Sequence, residues 1–179
     1  MTLIDTHAQH SSRPALYIAA LVAAYLAAAA LVTVLTSTIV EVFAAPDLFV
    51  IGSQWAYFAT TLATVVIVFS AGVFLVLWRL APISAEITLR LAIARAALAA
   101  AGGTVLKYVL DLLMAVSQSL TNGPGLFGGS FPDVSIAQFT IIGPIQSLIG
   151  TLVGYGPVVL LAAVLVWLRL RALATTAND

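Results

Sequence analysis

Cysteine and charge are what this sequence has least of. None of its 179 residues is a cysteine, which excludes disulfides, thiolate metal sites, iron–sulfur ligation and thiol catalysis. Charged residues make up 8% of the chain, against about 25% in soluble domains. Since a protein in water needs charged side chains over its surface, the composition predicts that most of the surface of this protein faces lipid.

Nucleic-acid binding and histidine chemistry are also disfavoured. The chain has seven basic and seven acidic residues, so its net charge of zero provides no basic face for nucleic acid. Its two histidines, His7 and His10, precede the first apolar run. This leaves the apolar runs without haem ligands and without a serine–histidine–acid set. The sequence therefore predicts a protein that is not an enzyme, with no metal site, no cofactor and no nucleic-acid partner.

Long apolar runs account for much of the sequence, 62% of which is hydrophobic. A helix needs about 20 residues to cross about 30 Å of hydrocarbon, and helix is the backbone that satisfies its own amides in lipid. The runs predict an all-α, polytopic integral membrane protein: a four-transmembrane-helix bundle in one domain, built from two helical hairpins. The predicted spans are residues 15–38, 54–78, 92–118 and 141–168.

The arginines predict how these spans are oriented. Five of the six lie before span 1, between spans 2 and 3, or after span 4, and Arg95 lies in the first turn of span 3, whereas the other two connections carry only acidic charges. Because positively charged flanks stay in the cytoplasm, we expect both termini to be cytoplasmic. The lipid bilayer is then the main partner, the glycine-rich residues 119–135 form an outer loop, and the location is the cell (plasma) membrane. The alanine-rich, lysine-poor composition favours a bacterial source.

A cleaved signal peptide is the alternative interpretation of the first run. Val42-Phe43-Ala44 resembles a cleavage signal, and cleavage would leave three spans. The uncharged run 15–35 is, however, longer than the usual apolar core of about 7–15 residues. We therefore favour a first transmembrane helix.

Two prolines predict helix starts. Pro82 and Ser84, with Glu86 in the first turn, are typical of a helix that begins before span 3. Pro144 suits the first turn of span 4.

Small residues recur at helical spacing in two spans. Ala20, Ala24 and Ala28 share one stripe of span 1, and Gly150 and Gly154 form a G-x-x-x-G pair in span 4. Small residues let helices approach closely in lipid, where no hydrophobic drive brings helices together. We expect both stripes to pack against helices of the same bundle, the alternative being an interface with a second molecule.

Lys107 and Asp111 are ionisable residues inside the third run. Four residues apart, they share a helix face and can pair. An intramembrane charge costs at least about 2.5–3.5 kcal/mol, so it is either neutralised by a partner or retained for function. Thr60, Thr64 and Gln146 are predicted at a similar depth, where they either form a polar pocket with the pair or bond to their own helices.

Two functions fit these patterns. The first is non-enzymatic association through helix–helix contacts, as a homo-oligomer or as an accessory subunit of a membrane complex. The second is a small-solute transporter or channel that uses Lys107 and Asp111. Gly102-Gly103 in span 3 and the glycines and proline of 154–157 in span 4 resemble the interruptions that mark transport sites.

Overall fold

The computed structural model describes residues 3–44, 48–121 and 143–176, which are helical apart from the connection 80–88. The second and third helices join through a π-helical segment without a break, so they form one long rod. The result is four long helices, as predicted. The elements are α1 (Leu3–Ala44), α2 (Leu48–Thr61), the π segment (Leu62–Ile67), α3 (Val68–Arg79), α4 (Leu89–Thr121) and α5 (Gly143–Thr176).

Each of the four helices is long and apolar enough to span a membrane. The first three predicted spans lie wholly inside helices, and the fourth does so from residue 143 onward. Pro144 lies in the first turn of α5, as its residue type predicts. Of the predicted outer loop, residues 119–121 still belong to α4, and the rest lies outside the described residues.

The helices form a ring in which each packs on its neighbours. Helix α3 packs against α4, α4 against α5, and α1 against α5 and the whole second rod. The largest fully buried side chains, which include Phe69, Ile18 and Leu77, lie in the half of the bundle nearest the connection 80–88. We call this half the connection end. In the opposite half, the open end, most described side chains of all four helices are exposed or only partly buried.

Helices α3 and α4 pack closely at three glycines, and at two of them, Gly72 and Gly103, the helices touch backbone to backbone. A Cβ placed on Gly72 would lie 2.7 Å from the Cα of Gly103, and one on Gly103 would lie 2.8 Å from the carbonyl oxygen of Phe69. A Cβ on Gly102 would lie 2.4 Å from a methyl of Val76. Helix α4 runs through Gly102-Gly103 without a break, so these glycines permit close packing and do not interrupt the span, contrary to expectation.

The predicted helix start at Pro82 and Ser84 is wrong. Helix α4 begins at Leu89, and the Thr88 hydroxyl accepts the Leu91 N–H at 3.4 Å. A threonine before the first turn is a favoured cap, because its oxygen satisfies an amide that has no carbonyl partner within the helix. Glu86 therefore belongs to the connection and not to a helical turn.

The connection 80–88 is fixed against the end of the bundle. Ala81 and Ile83 are buried. The Arg95 guanidinium donates a hydrogen bond to the carbonyl of Pro82, and Trp167 Nε1 donates to the carbonyl of Ile87 at 3.0 Å. Helices α4 and α5 are thereby anchored to the same short segment.

Candidate functional site

Lys107 and Asp111 form the ion pair that their spacing predicts. Lys107 Nζ lies 2.5 Å from Asp111 Oδ2, one turn further along α4. The lysine side chain is 13% exposed and that of the aspartate 41%. Lys107 follows Gly103 by one turn, on the face of α4 that packs against α3 at the connection end. The pair therefore continues the packed face of α4 into the open end.

The threonines predicted near the pair are at the expected depth but bond elsewhere. Asp111 lies eight residues beyond Gly103, and Thr64 lies eight residues before Gly72, so the contact of these two glycines sets both residues at one level. Thr64 Oγ1 donates to the Thr60 carbonyl at 2.9 Å, and Thr60 Oγ1 donates to the Ala56 carbonyl at 3.0 Å. Both hydroxyls thus bond to their own helix.

Gln146 does not join the pair either. Gln146 lies as many residues before Trp167 as Tyr108 lies after Ile87. Because Trp167 bonds to Ile87, Gln146 lies at about the depth of Tyr108 in α4. The side chain is exposed. The five predicted polar residues therefore lie at similar depths in the bundle, but among the described residues they do not gather in one pocket. They are Lys107, Asp111, Thr60, Thr64 and Gln146.

The small-residue stripes also differ from expectation. Ala20, Ala24 and Ala28 are exposed, and it is the adjacent stripe that faces inward, with Ala19 buried. A Cβ placed on Gly150 or Gly154 would meet nothing within 4 Å. Neither predicted stripe packs against another of the described helices, contrary to our expectation. Packing against a second molecule remains a prediction.

A cavity of about 220 Å³ lies among α1, α2 and the π segment, with Tyr155 of α5 also in its wall. Two threonines and two tyrosines interrupt its apolar wall. Sequence patterns did not indicate this cavity. One available signal was the β-branched run Thr64 to Val68, which crowds a regular helix and overlaps the π segment. The cavity is lined by Leu26, Ala29, Ala30, Thr33, Val34, Tyr57, Phe58, Thr61, Val65, Val66 and Tyr155.

Three side chains next to the cavity or in the core carry buried polar atoms without a partner among the described residues. They are Thr38 Oγ1, Gln54 Oε1 and Ser70 Oγ. Thr38 lies one turn beyond Val34 on α1, and Gln54 lies one turn before Phe58 on α2. Both therefore lie between the cavity and the α1–α2 connection, and neither is among the residues that line the cavity.

The described residues contain no group of three histidine, aspartate or glutamate side chains placed to hold a metal ion. The sequence matches no protein-family model, and no curated protein or solved structure is significantly similar to the chain.

Proposed function

We propose that this chain is a multi-pass protein of the bacterial cell membrane that acts without catalysis, by associating through its helices, first of all with a second copy of itself. Its four apolar helices and the many large hydrophobic side chains on the outside of the bundle support insertion in lipid. The bilayer and the associating protein are the partners.

Arginine–aromatic contacts at the connection end support a cytoplasmic position for that end. The Arg79 guanidinium lies 4.6 Å from the centre of the Trp78 ring, and that of Arg171 lies 5.0 Å from Trp167. The Arg169 guanidinium of α5 lies 5.9 Å from the centre of the Tyr17 ring on α1. Aromatic belts mark both interfaces of a membrane protein, and arginine-rich flanks mark the cytoplasmic one. Both termini then lie in the cytoplasm.

Thiol labelling tests this orientation. Single cysteines at Ser12, Ser84 and Thr176 should resist a membrane-impermeant maleimide in intact cells and react after the cells are opened. A cysteine at Ser130 should react in both cases. The cysteine-free chain provides its own unlabelled control. External labelling at Thr176 with protection at Ser84 would contradict an even number of spans.

The open surface at Gly150 and Gly154 is the observation that best supports the proposed association. Glycine inside a helix costs about 1 kcal/mol relative to alanine. Gly72, Gly102 and Gly103 have a reason within the chain, because any side chain there would meet α3 or α4. Gly150 and Gly154 have none among the described residues. A second helix lying against them would supply one, since the G-x-x-x-G spacing allows two backbones to approach.

The same face of α5 carries a polar side chain. Gln146 precedes Gly150 by one turn and is exposed. Glutamine amides hydrogen-bond across helix pairs in membranes, with an average stabilisation of about 0.6 kcal/mol in measured cases. A face with an amide and two glycines, repeated about a two-fold axis, is self-complementary. This favours a homodimer over an accessory contact.

Leucine at Gly154 tests the association. Gly154→Leu should leave the monomer folded, because the position is open, but should shift the dimer to monomer in cross-linking and sedimentation measurements in mild detergent. Gly52→Leu is the matched control, since a Cβ at Gly52 also meets nothing within 4 Å and lies on a different helix. A wild-type protein that stays monomeric at all detergent ratios would contradict self-association. Equal dimerisation of both variants would place the interface elsewhere.

Transport receives less support from the geometry. Helices α4 and α5 run unbroken through their glycines and through Pro157. About 30 Å of hydrocarbon corresponds to about 20 helical residues. Counted from Trp78 at the connection end, this would put the outer boundary near Phe58, six residues beyond Thr64, the residue level with Asp111. Asp111 would then lie about 10 Å from the boundary, where it neutralises Lys107 within their own helix.

A further inference from the structure

We propose that Arg13, Tyr17 and Arg169 bind the phosphate of an anionic phospholipid whose head group is otherwise uncharged, as in phosphatidylglycerol. We call these three residues the α1–α5 arginine site. The proposal rests on the membrane location of the helices and not on their self-association. It has three grounds: two arginines without a carboxylate partner, a tyrosine hydroxyl beside them, and exposed apolar side chains that continue from the site along both helices.

The site joins two helices at the connection end of the bundle. The Arg169 guanidinium of α5 lies 5.9 Å from the centre of the Tyr17 ring on α1. Arg13 precedes Tyr17 by four residues, so the two residues share one face of α1. Because helical side chains lean toward the N-terminus of their helix, Tyr17 leans toward the turn that carries Arg13. A phosphate beside the Tyr17 hydroxyl is therefore within reach of a guanidinium from each helix.

The two guanidinium groups are free to bind an anion. Within the part of the chain that the structure describes, neither the Arg13 nor the Arg169 guanidinium forms an ion pair or a hydrogen bond. Both side chains are exposed, as is Tyr17. A guanidinium presents its N–H donors in a planar fork that matches two oxygens of a phosphate, and a phenol hydroxyl adds another donor. One phosphate can thus accept hydrogen bonds from both helices at once.

Charge determines which head group fits. Two positive side chains attract a phosphate, and they repel the choline or ethanolamine cation of a zwitterionic phospholipid. A glycerol head carries no such cation. Basic pockets between transmembrane helices are also known to bind anionic lipid heads. The site therefore favours phosphatidylglycerol over phosphatidylcholine.

The apolar surface next to the site favours a lipid over free phosphate. Leu165 lies one turn before Arg169 on α5, and Leu21 lies one turn after Tyr17 on α1. Both leucines are exposed, and so is Ala24, about two turns after Tyr17. Each row leads from the site into a helix that is long and apolar enough to span a membrane. An acyl chain attached to the bound phosphate would lie along these side chains, whereas an inorganic ion would leave them uncovered.

Other arginines at the connection end have different surroundings. The Arg79 guanidinium lies over Trp78 and that of Arg171 over Trp167, in each case a tryptophan of the same helix. The Arg95 guanidinium donates to a carbonyl of the connection 80–88. Arg171 follows Arg169 by two residues and is also exposed, but two residues turn it to the opposite side of α5. It is therefore a matched control for Arg169.

Native mass spectrometry tests the lipid preference. The full chain would be placed in nanodiscs of equal parts phosphatidylglycerol and phosphatidylcholine with identical acyl chains, and the lipids that stay bound after release would be counted. We expect one retained phosphatidylglycerol per chain, preferred about tenfold over phosphatidylcholine, as charge-assisted hydrogen bonds predict. Equal retention of both lipids by the inserted wild-type chain would overturn the site alone. A chain that does not enter the nanodiscs would overturn the membrane location together with the site.

Single substitutions locate the bound lipid. Arg13→Gln and Arg169→Gln should each remove most of the roughly tenfold preference, and Tyr17→Phe should lower it about twofold. Arg171→Gln removes the same charge from the other side of α5 and should leave the preference unchanged. Equal losses for Arg171→Gln and Arg169→Gln would show a general attraction of anionic lipid to the basic end and would overturn the site. Displacement of the lipid by excess inorganic phosphate would likewise contradict a lipid site. The wild-type preference and the Tyr17→Phe variant decide the outcome if an arginine variant does not fold.

Discussion

Alanine at Gly72 or Gly103 should destabilise the bundle by about 1–3 kcal/mol, the usual cost of forcing extra volume into a well-packed core. Alanine at Gly150 or Gly154 should have no effect on the monomer or should stabilise it by up to about 1 kcal/mol. The substitution is the same in all four variants, and the four positions lie in helices that are long and apolar enough to span a membrane. The contrast therefore isolates the packing of α3 against α4.

The difference arises from what the new methyl group meets. At Gly72 and Gly103 the nearest atoms are backbone atoms of the facing helix, at 2.7 and 2.8 Å. A backbone atom cannot rotate away, so the two helices have to separate, and the contacts around Phe69 and Val73 would loosen with them. At Gly102 the nearest atom is a methyl of Val76, which can rotate. Gly102→Ala should therefore be milder than the other two.

Unfolding in mixed micelles, followed by tryptophan fluorescence, measures these free energies. The protein should be dilute in excess detergent, so that an association through α5 does not enter the comparison. Gly52→Ala serves as a further open-position control. Equal stabilities for Gly72→Ala and Gly154→Ala would contradict the close approach of α3 and α4.

The number and placement of the helices could be predicted because each depends on local composition. Twenty apolar residues in lipid must be helical, whatever their neighbours. The helix boundaries were harder to predict from the sequence. By residue type, Pro82 and Ser84 were as suitable for the start of α4 as Thr88, which caps it. The choice depends on the buried Ala81 and Ile83, which hold the connection against the bundle, and such tertiary contacts leave no local pattern.

The role of each glycine could not be predicted from spacing. Gly150 and Gly154 have the spacing of a packing motif yet face outward, whereas Gly72 and Gly103 lie in different spans and meet only because α3 and α4 are antiparallel. The cavity at the π segment depends on the same three-dimensional arrangement. By contrast, the pairing of Lys107 with Asp111 is local to one helix and was predicted from their separation by four residues.

The two halves of that pair should respond unequally to substitution. Asp111→Leu removes the partner of a lysine that is only 13% exposed, and breaking a buried pair costs about 3–5 kcal/mol, so a loss toward the lower end of that range is expected. Lys107→Met leaves an aspartate that is 41% exposed and still reaches water. Its loss should stay under about 1 kcal/mol, as for exposed ion pairs.

The double variant decides what the pair does. If the pair is structural, Lys107→Met with Asp111→Leu should recover most of the stability lost by Asp111→Leu alone, because no unpaired charge remains. The coupling energy in the double-mutant cycle should then be about 2 kcal/mol, within the range found for residues in contact. Three small, additive losses would mean that both side chains already reach water. A double variant that folds and associates normally but loses the cellular function of the protein would instead assign the pair to that function, and it would revive transport through the open end of the bundle.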